Sequence, residues 1–339
     1  MAESSKQVAG KWNAVKQAAM EMVVLRPRRF LAMIWYRLRN LPQTNFDLGC
    51  HYANRQLYRD ALMRFRVTLW LSPEFVEAWH NLGVCYLQLR QKPKAANAFR
   101  KALALRPGHE ESLYLLATLG AEFLPPERQP QVMPLAMVTR FFTAAAPFYQ
   151  ELETKNRYGA PQILEQKLLP LLPASSGLNV VDLGAGIGLV AMPWRAKSAR
   201  LVAVDVTPAM LSEAANMKVG DVPLFDALLE GNLLQPEKIS IPPASLDLAL
   251  LVNVAQFIGE LRTPLTAITG WLKPGGVLAL TVDPFSGEGF GINPKTSRFG
   301  HSAQYLKKLA DMLGLQVLLQ ERIQIYPETA AGLTIYRKG

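Results

Sequence analysis

The stretch Asn179–Val190, "NVVDLGAGIGLV", places three glycines at alternate positions directly after an apolar run. Apolar residues up to Leu183 predict a strand, and Gly184, Gly186 and Gly188 predict a turn whose backbone can approach a ligand with no Cβ in the way. A dinucleotide fold would need G-x-G-x-x-G, but the position for its last glycine holds Leu189. The spacing here is G-x-G-x-G, with Asp182 two residues before the first glycine.

Reading outward, "LVAVDVTPAMLSEA" (Leu201–Ala214) is a second apolar run ending in Asp205, with Thr207 and Pro208 placed to start a helix. A carboxylate at such a strand tip can accept two hydrogen bonds from ribose hydroxyls. Further apolar runs lie near 224–229, 246–252, 276–282, 315–319 and 332–336, with helical stretches between them. The glycine turn leads into a helix start, and two helical segments, Ala136 to Tyr149 and Ala160 to Leu172, precede the first strand. Alternating strands and helices predict a mostly parallel sheet covered on both faces.

Asp182 with the glycine turn, Asp205 with "TPAML", and the Pro-Gly-Gly turn of "WLKPGGVLALTVD" (Trp271–Asp283) together resemble class I S-adenosylmethionine-dependent methyltransferases. The resemblance implies a Rossmann-like domain with a seven-stranded, mostly parallel sheet, and S-adenosylmethionine as cofactor. It implies that Asp182, Gly184, Ala185, Gly186 and Gly188 cradle the methionine tail and ribose. Asp205 would hold the ribose hydroxyls, Val206 and Met210 would pack on the adenine, and Asn253 would lie near the sulfonium. The family places an acid near the adenine amino group. In "LFDALLEGNLL" that place falls to Glu230 or Asn232, with Asn232 favoured and Leu233 beside the ring.

The N-terminal third carries a different pattern. Gly49, Tyr52, Ala61, Phe65 and Pro73 recur 34 residues later as Gly83, Tyr86, Ala95, Phe99 and Pro107. That period belongs to the tetratricopeptide repeat, a helix–turn–helix unit in which small residues allow close helix crossing. A third copy begins at Glu110 and stops at "PPERQP", which reads as a capping helix. The chain thus divides into basic amphipathic N-terminal helices (1–40), tetratricopeptide repeats (41–124), a Pro-rich linker (125–135) and a class I methyltransferase domain (136–339). Such repeats imply a protein or peptide partner, or a unit that only docks on its neighbour.

Net charge is +10 and concentrated near the N-terminus: residues 1–40 carry eight Lys/Arg against two Glu. "RPRRFLAMIWYRLRN" (Arg26–Asn40) reads as a helix capping the first repeat through Leu31, Ile34, Trp35 and Leu38, or as an interfacial helix on an anionic membrane. Nucleic-acid binding through Arg and stacked aromatics is the weakest of the three readings. No secretory signal and no run of about 18–20 apolar residues is present, which predicts a cytoplasmic protein, in peripheral contact with the inner membrane surface on the interfacial reading. Two cysteines, Cys50 and Cys85, are too few for a disulfide framework, and no metal site is expected.

A narrower resemblance covers most of the chain beyond residue 41: bacterial methyltransferases with N-terminal tetratricopeptide repeats. It rests on "Y-x-A-P" at Tyr158–Pro161, "F-I-G-x-L" at Phe257–Leu261 and "R-F-x-H-S" at Arg298–Ser302. The chain departs from it at Tyr326, where Arg is frequent. Methyl transfer needs alignment more than an enzyme nucleophile. His301 is the one histidine in the catalytic half, expected either as a base or acceptor-orienting group or as a hydrogen-bonded residue of a covering loop; Tyr158 is a weaker candidate. "NVAQF" after the fourth strand disfavours amino-methylation of DNA adenine or protein glutamine, and the cysteine positions disfavour a cysteine-based mechanism. The expected function is methyl transfer to an unidentified protein or small-molecule acceptor. The rival is a non-catalytic assembly factor whose methyltransferase domain is a vestigial cofactor-holding scaffold.

Overall fold

The computed structural model describes Leu31, Met33, Ile34 and residues 40–339. The helices expected over residues 1–40, and most of the basic segment 26–40, therefore lie outside the described residues. The chain forms two compact units, residues 1–112 and 113–339, and the prolines of 125–135 fall within the second.

In the first unit, helices α1 (Leu41–Asn54) and α2 (Tyr58–Leu71) form one hairpin, and α3 (Val76–Gln88) and α4 (Lys92–Leu105) the next. Both hairpins turn on a left-handed residue, Gln56 (φ 62°) and Arg90 (φ 58°), 34 positions apart. The repeat's small residues are sterically required. A Cβ on Gly49 would stand 2.6 Å from the Phe65 ring, and one on Gly83 2.5 Å from the Phe99 ring. Phe65, Phe99, Ala61 and Ala95 are fully buried. A fifth helix, α5 (Glu110–Thr118), starts the third copy and runs across the division between Ser112 and Leu113.

The second unit opens with α6 (Leu135–Ala145), α7 (Tyr149–Lys155) and α8 (Ala160–Leu168). The two long helical segments read from sequence are interrupted where prolines stand. Pro147 lies in a 3-10 turn, Ala146–Phe148, that separates α6 from α7, and Pro170 in one that closes α8. Strands β1 (Leu178–Leu183), β2 (Ser198–Asp205), β5 (Ala227–Glu230), β6 (Leu246–Leu251) and β7 (Leu272–Pro284) are parallel neighbours. Strands β10 (Leu315–Tyr326) and β11 (Thr329–Lys338) add an antiparallel edge. The order β10-β11-β7-β6-β1-β2-β5 is the expected seven-stranded path. A ribbon of β8 (Phe290–Asn293) and β9 (Arg298–His301) joins the end of β7 and raises the sheet to nine strands. A small hairpin, β3 (Lys218–Val219) with β4 (Val222–Pro223), stands apart.

Alternation along β1 shows why the strands read as continuous apolar runs. Leu178 and Val180 pack with Leu164, Leu168 and Trp194 on one face. Val181 and Leu183 pack on the other with residues of α10 (Arg262–Trp271) and α11 (Ala303–Leu313), among them Leu265, Ile268, Leu306 and Leu309. Both faces being covered, the central strands are mostly apolar, and Asp182 and Asp205 stand at or next to the ends of theirs. The helix expected after the glycine turn is a 3-10 helix, Met192–Lys197, pinned by the buried Trp194. The remaining helix of this region is α9 (Pro208–Ala214), after β2.

Candidate active site

Chain order reverses between β1 and β6, since β2 and β5 continue one way and β7 the other. Open α/β sheets bind ligands outside the carboxyl ends of the strands at such a switch point. The residues singled out from sequence gather there. Asp182 lies near the end of β1 and the turn 184–188 follows it, Asp205 ends β2 and Val206 and Met210 follow it, Asn232 and Leu233 follow β5, and Asn253 follows β6.

The turn itself is shaped by contacts on both sides. Gly184 (φ 71°) and Gly188 (φ 94°) are left-handed, and a Cβ there would strike Val254 and the pair Leu224–Phe225 respectively. Above Gly186, by contrast, the space a Cβ would enter is open. Asp205 braces the turn, its Oδ2 accepting from Gly186 N–H and its Oδ1 from Thr207 N–H, both at 2.8 Å. Burial pushes the Asp205 carboxyl above its ordinary range, and these N–H donors oppose the shift.

Asp182 is 2% exposed, and its Oδ2 has no hydrogen-bond partner. Burial and then the charge on Asp205 push its pKa up to about 7. An orphaned carboxylate oxygen is costly unless a donor arrives, and a cation is the donor that suits it best. Asn253 adopts a left-handed φ of 58°, its N–H donating to Thr281 Oγ1 at 2.8 Å and its Nδ2 to the Tyr158 hydroxyl at 3.2 Å. Asn232 turns back on the chain, accepting from Leu234 N–H at 2.9 Å, while Leu233 is buried among core residues of the sheet. Met210 is buried against Ala146 and Ile187, so the turn joining α6 to α7 lies over the glycine loop.

Beside this site lies a cleft of about 700 Å³, lined by α6, α7 and the ends of β6, β7, β9 and β10. Asn253 belongs to it, as do Glu153, Tyr149, Asp283, Arg298 and Tyr326. Glu153 accepts from the Tyr326 hydroxyl at 2.9 Å and from Tyr149. Burial holds Glu153 above the usual carboxylate range against those two bonds. Burial likewise raises Asp283, with the Arg298 guanidinium opposing. Burial raises the Tyr149 phenol, and the Glu153 and Asp205 carboxylates push it further the same way. Of these residues Tyr326 stands out in the sequence only as a departure from the narrower resemblance, Arg298 only within a motif, and Glu153 carries no local sequence signal.

The quoted motifs of the last third meet one another. His301 Nε2 lies 2.9 Å from Ile258 O and 3.0 Å from Gly259 O, so it donates to carbonyls of the loop after β6. Arg298 reaches Gln256, and the Tyr305 hydroxyl accepts from Leu261 N–H. Gly259 has no room for a Cβ between Phe290 and Phe299. His301 is 2% exposed, does not line the cleft, and is held down to a pKa of about 4 by burial. These bonds tie the end of β9 and the start of α11 to the loop after β6. Tyr158, the weaker candidate, is half-buried and outside the cleft lining; its hydroxyl accepts from Asn253 Nδ2.

An α/β sheet of this order with a glycine turn at its switch point can be compared with known proteins. Residues 181–280 match the methyltransferase-domain family and residues 76–109 the tetratricopeptide repeat, so the chain joins a repeat unit to a methyltransferase domain. A malonyl-[acyl-carrier protein] O-methyltransferase of Enterobacter lignolyticus is 30% identical over 146 residues, covering 42% of this chain and 52% of the relative. The chain thus spans about half the length of that relative. The tetratricopeptide repeat domain-containing protein PYG7 of Arabidopsis thaliana is 31% identical over 71 residues, 21% of this chain and 24% of that one. Among solved structures, the magnesium protoporphyrin IX methyltransferase of Synechocystis with bound SAH superposes with a TM-score of 0.49 at 14% identity, covering 60% of this chain and 99% of the other.

Proposed function

We propose that the chain transfers a methyl group from S-adenosylmethionine to an acceptor held in the cleft beside Asn253, with the repeat unit recruiting a protein partner or substrate. The observation that carries this reading is the carboxylate pair at the switch point. Asp182 keeps a buried, unpartnered oxygen beside an open Gly186, while Asp205 holds the turn in shape. The fit to the cofactor is chemical. A methionine ammonium would supply the donor that Asp182 Oδ2 lacks, ribose hydroxyls would use the remaining lone pairs of Asp205, and glycines 184–188 leave the approach clear. Val206, Met210, Asn232 and Leu233 would border the adenine.

When bound, S-adenosylmethionine supplies a methyl on a sulfonium, reactive enough that the protein need only align it. Asn253, fixed by Thr281 and Tyr158, stands at the junction of turn and cleft. Asp283 is the cleft carboxylate available to take a proton if the acceptor arrives protonated. Arg298 is the cation that would orient an anionic acceptor. Because curated relatives act on a malonyl group borne by a carrier protein, a carboxylate set against Arg298 is the acceptor to try first. Residues 26–40 are proposed to add contact with an anionic membrane from the cytoplasmic side. No described helix is long and apolar enough to cross a membrane.

The test is incubation of the full chain with methyl-labelled cofactor and a malonyl thioester, then with size-fractionated cell extract. Label appearing in an acceptor, with Arg298→Ala losing it on a carboxylate acceptor, supports the reading. Cofactor binding with no label transferred to the thioester or to any extract fraction favours the scaffold.

A further inference from the structure

The net charge of the chain resides on the repeat unit. Residues 1–112 hold eighteen Lys/Arg against eight Asp/Glu, and residues 113–339 hold nineteen against nineteen. On that basic unit, α2 presents an exposed row at Arg59, Met63, Arg66, Val67 and Trp70, at i, i+4, i+7, i+8 and i+11 of one helix face. Trp70 is 81% exposed, Met63 66% and Val67 38%. The opposite face of the same helix is the buried one, with Ala61, Leu62, Phe65 and Leu69.

The second repeat provides an internal control. Thirty-four residues on, the positions of Met63, Val67 and Trp70 are Asn97, Lys101 and Ala104 on α4. The repeat fold therefore asks for nothing apolar there; Arg66, by contrast, recurs as Arg100. The row is also continuous with α4. Arg66 and Lys94 both sit over the Tyr86 ring, 6.0 and 5.8 Å from its centroid, and Arg66 donates to the Tyr86 hydroxyl at 2.8 Å.

Charge narrows the occupant. Residues 1–39 carry a net +6, and a second repeat unit would carry +10, so neither complements this face. The occupant is anionic. Three apolar side chains along about 10 Å of helix fall well short of the roughly 800 Å² per partner of a standard protein interface. They suffice for an interfacial anchor, where Trp sits at headgroup level and each nearby Lys or Arg adds attraction to anionic lipid. The segment 26–40 has the same mixture of Arg with Trp, Phe and Tyr. We infer that the outer face of α2 is a membrane-surface anchor: Trp70, Met63 and Val67 enter the headgroup region of an anionic bilayer while Arg59 and Arg66 face its phosphates.

The experiment is flotation of the full chain with vesicles of phosphatidylglycerol and phosphatidylcholine, and with phosphatidylcholine alone. The decisive variant is Met63→Asn/Val67→Lys/Trp70→Ala, which installs the second repeat's own residues and raises the charge. Circular dichroism matching the parent shows that it folds. Wild type should float with anionic vesicles, not with neutral ones, and lose binding as salt rises. The triple variant should bind at least tenfold more weakly despite its added charge, since removing apolar contact outweighs one more cation. Arg59→Glu/Arg66→Glu should lose binding as well. A triple variant that floats like wild type overturns the assignment and leaves the lipid contact to other residues. Absence of flotation, with binding to polyglutamate instead, overturns it in favour of an acidic protein.

Discussion

At the scale of single residues, two aspartates divide the work of one site. Asp205 has a structural duty beside its proposed one toward the ribose, since Gly186 and Thr207 N–H groups already bond it. Asp182 is held in reserve, buried and short of a donor. Its pKa of about 7 means that near-neutral solution leaves it part-protonated, whereas a bound ammonium favours the ionised form. Cofactor affinity should then weaken by roughly tenfold from pH 8 to pH 6, because the ionised fraction falls by about that factor. Calorimetry at the two values checks it, and Asp182→Asn should flatten the dependence while weakening affinity at both. His301 gives a prediction of opposite kind. Its pKa falls from 6.5 to about 4 on folding, so the folded state binds fewer protons than the unfolded chain across that window. Stability should therefore drop as pH falls from 6.5 toward 4, by up to about 3 kcal/mol from this residue. Urea unfolding of wild type and His301→Asn across that range should show a smaller slope in the variant.

At the scale of elements, the parts legible in the sequence are those whose chemistry is local. The glycine turn, Asp182 and Asp205 could be read because glycine at positive φ and acids at strand tips are demands made by neighbouring backbone. The repeat was legible because its close crossings recur at a fixed interval. Gly83→Ala should destabilise the repeat unit by about 1–3 kcal/mol, since its Cβ would meet a fully buried ring. Gly108→Ala, with open space around it, should cost far less. Urea unfolding followed by far-UV circular dichroism distinguishes the two. The cleft was not legible. Glu153 and Tyr326 meet across 173 residues, one from a short helix and one from an edge strand, and neither position has a pattern of its own. The same holds for Asp283, whose meaning depends on β9 returning to the end of β7. The helix breaks have a simpler origin: Pro147 and Pro170 stand inside segments whose apolar content runs on across them.

At the scale of the whole molecule, chemistry and charge occupy different units. The second unit is electrically balanced, and Asp182, Asp205, Glu153 and Asp283 are the carboxylates it places at the switch point and cleft. The repeat unit carries the full net charge and the exposed α2 row. This separation predicts that variants of the α2 row leave cofactor affinity unchanged, and that Asp205→Ala leaves vesicle flotation unchanged. Measuring both properties on both variants tests the independence directly. The account as a whole depends on the switch-point site, and one measurement reaches it without knowledge of the acceptor. Purified full-length protein is titrated calorimetrically with S-adenosylmethionine and S-adenosylhomocysteine, alongside Asp205→Ala with an unchanged circular dichroism spectrum. The account predicts micromolar binding of both by wild type and loss of at least tenfold in the variant, which gives up ligand bonds and the brace on Gly186 together. Wild type that binds neither compound, or a variant that binds as tightly as wild type, would contradict it.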